Sequence, residues 1–134
     1  TEAEENHTSI ILQMDGNLHA GTDIIKNDPN HINGNGKLFS ELLSKNPSIF
    51  LVNGTDKCDG EITRKRVKGK TVEMAILDFM LVSEDLKASL QKLKIDKDRE
   101  YPLCWFLKGK QKNSDHFTLS AAFDNKYRRK RPER

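Results

Sequence analysis

The sequence has few cysteines and no long apolar run. The chain of 134 residues contains two cysteines, Cys58 and Cys104, and neither belongs to a C-x-x-C pattern. Two isolated thiols argue against a disulfide scaffold and against a structural zinc site. No run of about 18 apolar residues is present, so the sequence predicts no membrane-spanning helix and no membrane partner.

The amino terminus, TEAEENHTSI, lacks both an initial Met and the apolar segment of a signal peptide. Together with the unpaired cysteines, this predicts an intracellular protein, and the nucleus is one of the compartments considered. The missing Met leads us to expect a piece of a longer protein.

Apolar residues make up 35% of the chain and charged residues 32%, which is typical of one soluble globular domain. The net charge of +3 is unevenly distributed, since three acids lie in the first five residues and basic runs occupy Arg64–Lys70 and Arg128–Arg131. Clustered cations suit a polyanion such as nucleic acid, although a solvated hairpin tip and tail would have the same composition. We therefore predict a domain over residues 1–124 and a basic tail or linker over residues 125–134.

Hydrophobic patterning predicts a mixed α/β (α+β) protein, a β-sheet with flanking helices. Predicted strands cover Ser9–Met14, Ile49–Val52, Glu61–Val67, Thr71–Ser83, Leu93–Ile95 and Phe117–Phe123, and Tyr101–Leu107 is either a strand or an irregular packed segment. Predicted helices cover Lys37–Lys45 and a short segment from Ser83 to Leu90 or Lys92; residues 16–36 form a long loop. Met74, Met80 and Trp105 are expected in the core.

Three acids accompany the predicted strands: Asp15, Asp78 and Asp115. Asp78 is the most informative, because a charge inside an apolar strand costs several kcal/mol unless it is paired or holds a metal. Pairing with one Lys or Arg is the simpler alternative. His116 directly follows Asp115 and could move a proton or stabilise a developing oxyanion.

Asp15 and Asn17 are separated by one residue, and on an extended segment two such side chains point the same way. The acid could then face a hard cation while the amide faces a phosphate oxygen. Locally, an Asx-turn explains the same D-G-N sequence.

Taken in order, these segments resemble the endonuclease/exonuclease/phosphatase superfamily, and most of all the endonuclease domain of non-LTR retrotransposons. The motifs that carry the resemblance are D-x-N-x-H-x-G at Asp15–Gly21, NGKLFSELL at Asn35–Leu43, VNGTDKCDGEITR at Val52–Arg64, I-L-D-F-x-L-V-S at Ile76–Ser83 and S-D-H at Ser114–His116. The resemblance covers nearly the whole chain but only the second half of the family's domain.

The resemblance implies half of a four-layer α/β/β/α sandwich, in which the missing first half would supply a further metal-binding Glu. It implies that Asp15 activates the water, Asn17 binds the phosphate, and Asp78 holds His116, which stabilises the transition state. Asp115 would lie beside Mg²⁺ or Mn²⁺. The residues expected to contact substrate, besides Asn17, are His19, Arg64, Lys65 and Arg66.

The leading hypothesis is metal-dependent phosphodiester hydrolysis by a DNA endonuclease of this type, with DNA as substrate once the amino-terminal half is supplied. The alternative is a catalytically incomplete binding or assembly module, for example a homodimer that rebuilds the sandwich from two copies. A third hypothesis keeps the superfamily and replaces DNA by a phosphoinositide or another small phosphate ester.

Overall fold

The computed structural model describes residues 9–124; the acidic start of the chain and the basic residues 125–134 lie outside this range. Within it the chain forms ten strands and two helices. The strands are β1 (Ile11–Asp15), β2 (Ile49–Leu51), β3 (Cys58–Asp59), β4 (Arg64–Lys68), β5 (Thr71–Ala75), β6 (Asp78–Ser83), β7 (Leu90–Ile95), β8 (Cys104–Leu107), β9 (Lys110–Asn113) and β10 (Leu119–Phe123). The helices are α1 (Gly34–Lys45) and α2 (Glu84–Lys87), and neither they nor any other described segment could cross a membrane as a helix.

Two three-stranded sheets form the body of the protein. The first, the β6 sheet, has the order β1-β6-β2, and both outer strands run antiparallel to β6. The second, the β7 sheet, has the order β10-β7-β3, with β10 antiparallel and β3 parallel to β7. The remaining strands form two hairpins, β4-β5 and β8-β9.

Strand β6 is buried on both faces, which explains its continuous apolar sequence. Phe79 and Leu81 point toward α1, where they join one hydrophobic cluster. Met80 and Val82 point the other way and pack with the β7 sheet in a second cluster. Successive strand residues face opposite sides, so β6 joins three layers in the order helix, sheet, sheet. The predicted mixed α/β class is confirmed.

Helix α1 starts at Gly34, three residues earlier than predicted, because Asn33 caps it by accepting the Gly36 N–H at 2.8 Å. Its end at Lys45 is as predicted. Of its apolar residues, Phe39 is buried with its ring centroid 5.2 Å from that of Phe79, whereas Leu38 and Leu42 are exposed.

The prediction of one long strand over Thr71–Ser83 is wrong. The segment forms two strands, separated at residues 76–77: β5 belongs to the exposed β4-β5 hairpin and β6 to the core. Met80 is buried, as expected, but Met74 lies on β5 and is half exposed. An apolar pattern cannot reveal this break, because both halves have strand-forming residues.

Three further predictions need correction. The helix after Ser83 is a single turn, so β7 begins at Leu90 rather than at residue 93. Strand β9, which pairs with β8, was missed because Lys110–Asn113 has no apolar residue. Trp105 belongs to that hairpin and is exposed instead of lying in the core.

Candidate active site

Two acids lie opposite each other at one end of the β6 sheet. Asp15 is the last residue of β1, Asp78 is the first residue of β6, and the antiparallel register pairs them directly. Side chains of such a pair lie on the same face of the sheet, and like charges placed this way are destabilising. A cation or a hydrogen-bond donor beside the pair would therefore stabilise it.

His116 is that neighbour. Its Nδ1 lies 2.7 Å from Asp78 Oδ2, and both side chains are largely buried. This hydrogen bond fixes the orientation of the imidazole and leaves Nε2 available for another partner. An acid and a histidine that lie 38 residues apart in sequence thus form one dyad.

Strand β4 holds the Asp115–His116 segment in place. The backbone N–H of Lys65 donates to the carbonyl of Asp115 at 2.9 Å, and that of Phe117 donates to the carbonyl of Thr63 at 2.7 Å. His116 lies between these two bonds and forms an isolated bridge with Arg64. The S-D-H segment is therefore aligned by the start of the β4-β5 hairpin before β10 begins.

Asp115 makes an ion pair with two arginines of β4. Its Oδ2 accepts from Arg64 Nε at 3.0 Å and from Arg66 Nε at 2.9 Å, while Oδ1 lies 3.9 Å from His116 Nε2. Burial alone would raise the pKa of Asp115, but the hydrogen bonds and positive charge of Arg64 and Arg66 outweigh it and lower that pKa. One oxygen of the predicted metal ligand is thus occupied by guanidinium groups.

The predicted substrate-contacting residues of β4 are divided between its two faces. Residues 64 and 66 share one face, where Arg64 and Arg66 reach Asp115. Lys65 alternates with them and is exposed on the opposite face. The structure therefore brings two of these three cations to the site.

Asn17 follows Asp15 in a turn and not along an extended strand. Its backbone N–H donates to Asp15 Oδ1 at 3.0 Å, and its φ of 44° is left-handed, so the expected strand alternation does not apply. Gly16, between them, is needed for space, because a Cβ there would lie 2.9 Å from the ring of Phe79. Asp15 and Asn17 remain adjacent through this Asx-turn.

His19 is tied to the start of α1. Its backbone N–H donates to Asn33 Oδ1 and its carbonyl accepts the Asn33 N–H, each at 3.2 Å. Its Nδ1 is buried without a hydrogen-bond partner among the described residues. His19 is not part of the group formed by Asp15, Asp78 and His116.

Two polar residues position Asp78, and the sequence analysis did not single them out. Thr63 is fully buried, and its Oγ1 accepts the N–H groups of Leu77 at 2.9 Å and of Asp78 at 3.1 Å. Asn53 donates to the carbonyl of Asp78 and accepts the Met80 N–H, both at 2.9 Å. Both residues belong to the VNGTDKCDGEITR stretch, which carries the resemblance but predicts no role for either side chain.

Asp15, Asp78 and His116 each offer one ligand atom, and these atoms lie within 4.8 Å of one another. Two carboxylates are a donor set that fits a hard divalent cation, and the imidazole widens that set to Mn²⁺. Asp15 and Asp78 also line an open groove of about 300 Å³, which ends at β10. The two carboxylates are therefore accessible from an open groove, although His116 does not line it.

In comparisons with known proteins, no family model, curated protein or solved structure gives a significant match to this chain.

Proposed function

We propose that this chain supplies the carboxyl-terminal half of a metal-dependent phosphodiesterase site, of the type found in DNA endonucleases of the endonuclease/exonuclease/phosphatase superfamily. The observation that supports this most directly is the His116–Asp78 hydrogen bond of 2.7 Å beside Asp15. The resemblance names these three residues from motifs far apart in sequence, and three separate chain segments bring them together.

Hydrolysis of a phosphodiester requires an oriented water and a preorganised donor for the charge that develops on phosphorus. Asp15 would orient or deprotonate the water. The imidazole of His116, held at Nδ1 by Asp78, would direct Nε2 toward the phosphoryl oxygen. Asn17 follows Asp15 in the same turn, and its amide would contact the phosphate.

A divalent cation, Mg²⁺ or Mn²⁺, is part of this proposal. The carboxylates of Asp15 and Asp78 would hold it, and Asp115 would contribute only Oδ1, because Oδ2 accepts from two arginines. When bound, such a cation stabilises negative charge on the reacting phosphate. Arg64 and Arg66 add fixed positive charge next to the same position.

The layer order supports half of a four-layer sandwich. Helix α1, the β6 sheet and the β7 sheet correspond to three consecutive layers, and β1 and β10 are outer strands of their sheets. An outer strand has backbone groups available for pairing with a further strand. The first half of such a sandwich would pair its strands there. The intracellular or nuclear location stays a prediction from the sequence.

A nicking assay on supercoiled plasmid with Mg²⁺ tests the proposal. With an amino-terminal half supplied, we expect Mg²⁺-dependent nicking by the wild type and a loss of about 10²–10³-fold in His116→Ala, the range for removing one preorganised donor to a developing negative charge. His31→Ala is the matched control, because His31 is exposed and outside the cluster. Equal nicking by the assembled wild type and the assembled His116→Ala, or no nicking by the assembled wild type, would contradict catalysis at this site.

A second function, an assembly module, is favoured by the apolar surface around β1 and α1. Ile11, Leu12, Leu38 and Leu42 are exposed, and an apolar groove of about 220 Å³ lies between the two elements. Two copies could cover these surfaces by forming a homodimer. Size-exclusion chromatography with light scattering distinguishes this function, since a strict monomer at all concentrations contradicts it.

A further inference from the structure

The β8-β9 hairpin is anchored next to the candidate active site. It returns to the body at Ser114, whose backbone N–H donates to the carbonyl of Leu103 at 2.7 Å. Arg99 Nη1 donates to the carbonyl of Ser114 at 2.9 Å. Leu103 also lines the groove that contains Asp15 and Asp78. A ligand in that groove would therefore extend onto the base of the hairpin.

The two faces of the hairpin differ in chemistry. The register places Trp105 opposite Lys112 and Leu107 opposite Lys110, so one face, the Trp105 face, combines an indole with two ammonium groups. The other face carries Phe106 and no charged residue among the paired positions. Trp105 is 51% and Phe106 is 73% exposed.

Positive charge is not balanced on this segment. Residues 101–114 include three lysines and no acid. An apolar protein partner would have to bury Lys110 and Lys112 without counter-charges, which costs several kcal/mol per ion. A nucleic acid strand is complementary to both the lysines and the indole, because its phosphates pair with lysines and its bases stack on an aromatic ring. Bases inside a duplex are already stacked on each other, so an unpaired strand offers the free ring faces.

We propose that the Trp105 face binds an unpaired segment of DNA adjacent to the phosphate in the site. The base stacks on the indole of Trp105, and Lys110 and Lys112 contact the flanking phosphates. This inference rests on the proposed function and deepens it by naming the form of DNA that the site accepts.

Intrinsic fluorescence measures this interaction directly, because Trp105 is the single tryptophan of the chain. The full chain is titrated in EDTA with an oligothymidylate of about 12 nucleotides, a length within the range that single-strand binding modules occupy. We expect saturable quenching of Trp105 that weakens as salt rises. Absence of quenching or tighter binding to the matching duplex would overturn the proposal. So would a fluorescence change that appears without DNA when only the protein concentration is raised.

Variants measured by anisotropy of a labelled oligothymidylate separate the two faces. We expect Trp105→Ala to bind about tenfold more weakly, as for the loss of one stacked base. Lys112→Gln should lower the slope of log affinity against log salt by about 0.7, the value for one phosphate contact. Phe106→Ala, on the opposite face of the same hairpin, is the control and should bind like the wild type. An equal loss in Phe106→Ala, or an unchanged slope in Lys112→Gln, would contradict the assignment even if Trp105→Ala disturbs folding.

The binding assay and the nicking assay test the two proposals separately. Metal-free binding without any nicking would support the Trp105 face and contradict the catalytic proposal. Nicking that depends on His116, with no fluorescence change on addition of the single strand, would do the reverse.

Discussion

Thr63→Val tests whether one buried hydroxyl separates β5 from β6 and positions Asp78. Thr63 Oγ1 accepts two backbone N–H groups, from Leu77 at 2.9 Å and from Asp78 at 3.1 Å, and the residue has no solvent exposure. Valine has nearly the same shape but no acceptor. Each buried donor left unsatisfied costs about 1–3 kcal/mol, and the extra buried methyl offsets about 0.8 kcal/mol. We therefore expect the free energy of unfolding to fall by about 3 kcal/mol.

Urea unfolding followed by circular dichroism measures this change as a shift of the midpoint at constant slope. Thr63→Ser keeps the acceptor oxygen and loses one methyl group, so it should cost only about 1 kcal/mol. Thr71→Val is the surface control, since Thr71 is exposed on β5, and it should stay within about 0.5 kcal/mol of the wild type. If Thr63→Val were as stable as the wild type, or more stable than Thr63→Ser, the hydroxyl would not have the role that we assign to it.

Two further predictions concern the ion pair at the site and the start of α1. Asp115→Asn removes a carboxylate whose pKa is lowered in the folded chain, because the effect of burial is outweighed by two arginines, which hold the carboxylate ionised. The substitution should lower the free energy of unfolding by about 1 kcal/mol at pH 7. Since the carboxylate of the wild type is protonated in acid, this difference should disappear as the pH falls below about 4. Urea midpoints over this pH range check it, and a difference that does not vary with pH would contradict it. Gly36→Ala places a Cβ 1.9 Å from the carbonyl oxygen of His19 and should cost about 1–3 kcal/mol. Gly34→Ala, which meets no atom within 4 Å, should be neutral or gain up to about 1 kcal/mol, and equal thermal midpoints for the two variants would refute the packing argument.

Local sequence patterns were sufficient to predict those strands and helices whose residues follow a single clear periodicity. The strands Ile11–Asp15, Ile49–Leu51 and Leu119–Phe123 all lie within one or two residues of the predicted segments, and α1 ends at the predicted Lys45. Each has an apolar run bounded by polar or turn-forming residues. The strand Lys110–Asn113 could not be predicted this way, because it is held by pairing with β8 and has no apolar residue of its own.

The break between β5 and β6 shows why adjacent residues are not sufficient. Residues 76–77 are apolar and continue the pattern of both strands. At this break Thr63, which lies 14 residues before Leu77, accepts the backbone N–H groups of Leu77 and Asp78, where β6 begins. Only the folded chain brings that hydroxyl to those donors.

The ion pair of Asp115 likewise depends on residues that are distant in sequence. The resemblance implied that Asp115 lies beside the metal, but two arginines 49 and 51 residues away share its Oδ2. The basic run of β4 was noted for substrate binding, and its contact with Asp115 depends on how β4 aligns with the S-D-H segment. Charge in a sequence does not reveal which opposite charge it will meet.

The sequence alone specified the residue types and the strand end at which Asp15 lies, with His116 shortly before the last strand, because apolar periodicity and polar punctuation are local properties. The tertiary structure decided that Asp15 faces Asp78 across a strand pair and that Asp78 meets His116 at 2.7 Å. It also decided that Trp105 is exposed to solvent on a hairpin next to them. These contacts depend on strand register and on which sheet each strand joins, and both are set by packing over the whole chain.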